Sequence, residues 1–137
     1  MKEWLKLIPI FLLLSAEHGA AQQQQHFDYF SGNRQMVRNG VQAILTCNGL
    51  FTSHRTLEQV FQYELAYLKS DRFGGTVGTI EGGEWVVDRE RKAVAIGGPR
   101  SGPTIRAAFR EGIGCVVMPP DQTFDDIDKL PELNLPY

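Results

Sequence analysis

Apolar and polar positions divide this chain into two halves with different periods. Between residues 34 and 69 the apolar residues recur every three to four positions, which predicts helices. Met36, Val37, Val41, Ile44 and Leu45 share one face of a first helix, which Asn33 can cap from the front. Gly40 weakens that helix by about 1 kcal/mol relative to Ala. Asn48-Gly49, just after Cys47, reads as its stop. Leu50–Ser53 then crosses to a second helix. There Thr56 and Gln59 have the spacing of a capping box, and Leu57, Val60, Phe61, Leu65 and Leu68 form the strongest periodic stripe in the chain. Glu64 interrupts the stripe. The expectation is that it sits at the stripe's edge and reaches water; the alternative is a carboxylate held inside by an arginine, since a buried charge needs a partner. Tyr63 and Tyr67 flank the stripe as packing residues. Ser70-Asp71 and Gly74-Gly75 end the helix.

From there the period falls toward two. Thr76–Ile80 reads as a short strand. Glu84–Val87 and Ala93–Ile96 are β-formers joined by the polar run Asp88–Lys92, a hairpin. Gly97–Pro103 reads as a loop. Its glycines lack the following Gly-Lys-Ser/Thr of a phosphate-binding loop. Thr104–Phe109 and Ile113–Met118 flank Arg110-Glu111-Gly112, a second hairpin closed by Pro119-Pro120. The fold class expected is α+β, two helices followed by antiparallel hairpins, in a small domain over residues 34–118.

The ends read differently. Residues 1–21 carry Lys2 and Lys6, an apolar Leu5–Leu14 and the small residues Gly19-Ala20-Ala21, the pattern of a secretory signal peptide. That apolar run is too short to span a bilayer, whose core is about 30 Å thick. No stable membrane span is therefore expected after cleavage, and the expected location is secreted or periplasmic. Residues 22–33 read as a flexible leader that opens with the polar tract Gln22–Gln25 and carries Phe27, Tyr29 and Phe30. Residues 119–137 carry Asp121, Asp125, Asp126, Asp128 and Glu132 between prolines and read as an extended acidic tail. They lack the glycine and spaced terminal glutamate of a helix–loop–helix calcium site.

Composition adds limits. A net charge of −2 over 137 residues gives no general field for nucleic acid, and the basic cluster Arg89–Lys92 reads as a solvated turn. Cys47 and Cys115 are an even pair in an exported chain, so a disulfide is allowed; buried free thiols are the alternative. With His26 and His54 they match no zinc spacing, and neither a metal nor another cofactor is called for.

Candidate chemistry centres on Cys47-Asn48-Gly49-Leu50-Phe51-Thr52-Ser53-His54-Arg55 and on Ala108-Phe109-Arg110-Glu111-Gly112-Ile113-Gly114-Cys115. With the hairpin between them and Leu130-Pro131-Glu132-Leu133 after them, these segments resemble secreted serine hydrolases related to β-lactamases and 6-aminohexanoate-dimer hydrolase. Many members carry Cys-Ser-Gly-x-Phe-x-Ser-Gly-Arg, then an acidic helix, a hairpin and Ala-x-Tyr-Arg-x-Gly-Leu-Gly-Cys. The resemblance covers most of Val37–Pro136. Its marker positions here are Cys47, Gly49, Phe51, Ser53, Arg55, Arg110, Gly112, Gly114 and Cys115. Asn48 stands where the pattern has Ser, and His54 where it has Gly. If that Gly takes a positive φ, His is among the better tolerated replacements.

The resemblance implies an incomplete part of a β-lactamase-like enzyme that hydrolyses amides or esters. Its nucleophile would be a Ser with a Lys three residues on, so that both lie on one helical turn. No Ser here has that Lys: Ser15, Ser31, Ser53, Ser70 and Ser101 are followed at that distance by His18, Arg34, Thr56, Phe73 and Thr104. No catalytic residue is therefore assigned. The expected function is a non-catalytic N-terminal portion whose partner is the catalytic domain of the same enzyme. The alternative is a freestanding exported protein-binding or adaptor domain. A small enzyme using His26 or His54 with Asp28 or Glu58 lacks any feature fixing those groups together.

Overall fold

A computed structural model describes residues 29–69 and 74–134. The signal peptide, most of the leader, the Ser70-Asp71 helix end and the last three residues lie outside them. The chain is α+β: helices first, then a four-stranded antiparallel sheet in the order β1-β2-β3-β4.

Helix α1 runs Tyr29–Cys47, starting before the expected cap at Asn33, so residues 29–33 belong to the helix rather than to a leader. Its buried side also differs from the expected one. Ala43 and Cys47 are fully buried, whereas Val37 is 62% exposed and Val41, Ile44 and Leu45 pack only at the rim of the core. The small residues Gly40 and Ala43 let the helix axis come down onto the sheet, with Gly40 facing Ile105. Beside them lie two fully buried polar side chains. Asn39 donates to the carbonyls of Ser101 (2.9 Å) and Pro103 (2.8 Å). Gln42 donates to Val77 O at 3.1 Å and accepts from Val77 N at 2.7 Å. Asn39 satisfies carbonyls of a tight turn and of the start of the strand after it, and Gln42 both backbone groups of Val77 in the connecting bends, which is what permits the burial.

Asn48-Gly49 does not stop the helical path. It continues as a π-helical turn over Asn48–Thr52, closed by Ser53 N donating to Asn48 O at 2.8 Å. Helix α2 is Leu57–Gln62, with both capping-box bonds between Thr56 and Gln59 present. The expected single helix breaks at Tyr63 and resumes as a 3₁₀ segment, Glu64–Lys69. The apolar stripe survives the break. Val60 and Phe61 are buried from the α-turn, and Leu65 and Leu68, three apart, from the 3₁₀ turn of three residues. Tyr63 and Tyr67 are more than half exposed.

Thr76–Ile80 forms no strand; it is a chain of bends with one bridge between Thr79 and Gly82. Strands β1 (Trp85–Asp88), β2 (Ala93–Gly98), β3 (Gly102–Arg110) and β4 (Gly114–Val117) form a meander. The expected Gly97–Pro103 loop shrinks to a turn over Pro99–Ser101, where Ser101 N donates to Gly98 O and Pro99 supplies the preset φ. Gly98 and Gly102 pair across it.

The two faces of the sheet carry separate clusters. Val94, Ile96 and Ala107 join α1, α2 and the 3₁₀ segment in the main core. Ala93 and Ala108, on the opposite face, join Met118 and Ile127. Ile127 belongs to a short 3₁₀ helix, Phe124–Lys129, capped by Thr123 and Asp126. The extended acidic tail is thus corrected: its acids cap, pair or face water while its apolar residues cover part of the sheet.

Candidate functional site

The nine marker positions separate into two clusters at one end of the sheet. In the first, Cys47 and Cys115 form a disulfide with Cα atoms 5.9 Å apart, linking the end of α1 to β4 across 68 positions. Asn48 Oδ1 accepts from Cys115 N (3.3 Å) and from Thr52 Oγ1 (3.1 Å), tying the π-turn to the strand edge. Gly49 is buried where any Cβ would stand 2.6 Å from Val60 Cγ2. Gly114 faces Asn48 and Thr52. Phe51 packs half-buried against the core.

Ser53 and His54 are exposed and close the turn, His54 at φ +51°. Arg55 N donates to Gly49 O at 2.8 Å, and its Nε lies 3.0 Å from Glu64 Oε1. The Arg55 guanidinium also sits 5.8 Å from the centre of the Tyr63 ring. Glu64 therefore corrects the edge expectation: its side chain is only 18% exposed and an arginine holds it.

The second cluster surrounds Arg110, whose side chain is 11% exposed. Its guanidinium meets Glu132 at 2.5 Å, lies 4.0 Å from Asp128 and reaches Leu130 O at 3.5 Å. Gly112 has φ +74°, and a Cβ there would lie 1.8 Å from Leu133 O. Leu133 N donates to Glu111 O. Arg110 and Gly112 therefore receive the tail, while Cys47, Gly49, Ser53, Arg55, Gly114 and Cys115 hold the helix turn.

Neither cluster assembles a nucleophile with a base. Among the described residues the Ser53 hydroxyl has no hydrogen-bonded partner and no group of three or more His, Cys, Asp or Glu could hold a metal ion. No helix among them is long and apolar enough to cross a membrane. What the two clusters hold is a covalent staple, a helix-turn clamp and a charged latch.

A third polar group was not singled out by the sequence pattern. The Glu84 carboxylate accepts from Arg100 N, Arg100 Nε and the Ser101 hydroxyl, closing the β2–β3 turn. The Ser101 bond, first, and the Arg100 bonds hold its pKa below the usual glutamate value. Asn39 and Gln42 were equally missed. Their signal is visible afterwards: polar Asn39, Gln42 and Thr46 follow one another at helical spacing beside the small residues Gly40 and Ala43.

No protein family, no curated protein and no solved structure matches this chain.

Proposed function

We propose that this chain is the non-catalytic N-terminal portion of an exported serine hydrolase of the β-lactamase-related, 6-aminohexanoate-dimer hydrolase type. Its role in that reading is scaffold: it presents a stapled helix–sheet unit to the catalytic domain, which carries out amide or ester hydrolysis. The observation that carries the reading is the pairing of Cys47 with Cys115, which joins the two marker segments at their cysteines. A positive φ at His54, where the family pattern has Gly, supports the same alignment. So does the steric demand for glycine at Gly49 and Gly112.

The test is the DNA that follows codon 137. A continuing or frame-shifted Ser-x-x-Lys supports the reading. A stop followed by unrelated sequence overturns it and favours the freestanding adaptor. A second test uses the purified chain with an activated ester: this reading expects no turnover. Turnover that persists in the presence of serine-directed inhibitors sinks it.

A further inference from the structure

The tail covers only part of the outer sheet face. Beyond it lies an open hollow of about 600 Å³. Small residues help make it: Ala95 and Gly98 line it from β2, and a Cβ at Gly98 would already press on Glu84 at its edge. Val86, 56% exposed, forms one wall, and Phe124 of the tail helix forms another. Thr104 and Arg106 of β3 form the opposite side. The volume lies in the usual range for small-molecule sites, roughly 300–1,000 Å³, and an apolar floor is ringed by Glu84, Arg91, Thr104, Arg106, Thr123 and Asp125.

The charges around the hollow are not equivalent. Glu84 is saturated by Arg100 and Ser101. Arg91 is shared between Asp88 and Asp125. Arg106 differs. Its Nη1 donates to Gln122 O at 2.9 Å, and no carboxylate pairs with it among the described residues. A guanidinium has five N–H donors, so Arg106 keeps most of its fork unused. That fork suits the two oxygens of a carboxylate. Thr104 adds a hydroxyl on the same strand and the same face, two residues away.

We propose that this hollow binds a small organic monocarboxylate with an apolar body, the carboxylate on Arg106 and the apolar part over Ala95 and Val86. The site is independent of the hydrolase reading, because none of the residues that line it is a marker position.

The test is an NMR titration of the full chain with phenylacetate and, separately, with its neutral isostere phenylacetamide. Phenylacetate is expected to shift the amides of Ala95, Gly98 and Thr104 and the Arg106 Nε–H in a saturable way. Phenylacetamide is expected to bind about tenfold more weakly, since a hydrogen bond to a charged group is lost. Arg106→Gln should remove that difference, and Ala95→Phe should abolish binding of both by filling the floor. Ala95→Phe also keeps the test usable should Arg106→Gln lose its fold, which far-UV circular dichroism reports. Equal binding of acid and amide, shifts confined to other surfaces, or no saturable shift overturns the proposal. None of these outcomes bears on the DNA downstream of codon 137, so the two readings fail separately.

Discussion

The two faces of the sheet are held by different kinds of interaction. On the α1 side, Val94, Ile96 and Ala107 meet Val60, Leu65 and Leu68 in a continuous apolar core, with a disulfide at one end and fully buried amides along one flank. On the other side the described part of the tail buries Ile127 and packs Phe124 and Leu130 half-buried beside it, and its other ties are ion pairs and hydrogen bonds near the surface, such as Arg110 to Glu132, Arg106 to Gln122 O and Leu133 N to Glu111 O. Hydrophobic burial and a covalent link act cooperatively over the whole unit. Ion pairs near the surface contribute little each and act locally. The α1 side should therefore set global stability, and the tail should open without unfolding it.

The largest effect that could break this contrast is loss of the staple. Cys47→Ala with Cys115→Ala is expected to cost about 4 kcal/mol, from the entropy of the released loop. Urea unfolding of this variant, or of the reduced protein, measures it. A loss confined to the tail, with the core midpoint unchanged, would show that the disulfide does not carry the α1 side. A smaller effect on the same side tests the buried amides. Gln42→Ala leaves Val77 N–H and C=O unpaired in the interior and is expected to cost about 1–3 kcal/mol. Fast hydrogen exchange at the Val77 amide should accompany it.

The difference between the faces also explains what could be read in the sequence. The stripe on Leu57–Leu68, the capping box at Thr56 and both hairpins were legible, because each rests on local periodicity or on fixed spacing. The buried face of α1 was not. Its Val and Ile residues form the more apolar stripe, yet Gly40 and Ala43 face the sheet, since close approach of helix to strand favours small side chains over hydrophobic ones. Asn39 and Gln42 are buried because loops more than thirty positions away supply their partners, and no local pattern reports such a partner. The π-turn at Asn48–Thr52 was hidden for the same reason: it is held by Cys115, far along the chain. At the candidate site, the cysteine pair and the glycines were legible as a motif. The arginine partners Glu64 and Glu132 needed the fold.

On the tail side, Gly112→Ala should sharpen the contrast. An alanine would have to hold a positive φ with its Cβ inside the space of Leu133 O, so either the turn or the tail must move. The left-handed conformation alone costs roughly 1–2 kcal/mol. Limited proteolysis is expected to cut residues 119–134 faster, while the urea midpoint of the core shifts by less than in Gln42→Ala. An equal loss across the whole chain would mean that the tail is part of the main cooperative unit.

The smallest effect is a titration. Asp126 is held down to about 2, first by the Lys129 ammonium and then by the Thr123 N–H, from an ordinary value of 3.8. The folded state thus releases this proton more readily than the unfolded chain. Its stabilising contribution is complete above pH 3.8 and is lost as pH falls toward 2. Lys129 has the opposite sign: its pKa is raised above 10.5, so its contribution is complete below that value and is lost as pH rises through the raised one. Lys129 is exposed and Asp126 lies at the surface partly covered, so the pair is screened and the response should be fraying of Phe124–Lys129 rather than unfolding. Protection of the amides in that segment, taken against the intrinsic exchange rate at each pH, should fall between pH 3.8 and 2 in the native chain and lose its dependence on this proton in Asp126→Asn. If Asp126→Asn leaves the acid response of the segment unchanged, the capping box is not what holds the tail helix, and the packing of Phe124, Ile127 and Leu130 on the sheet holds it instead.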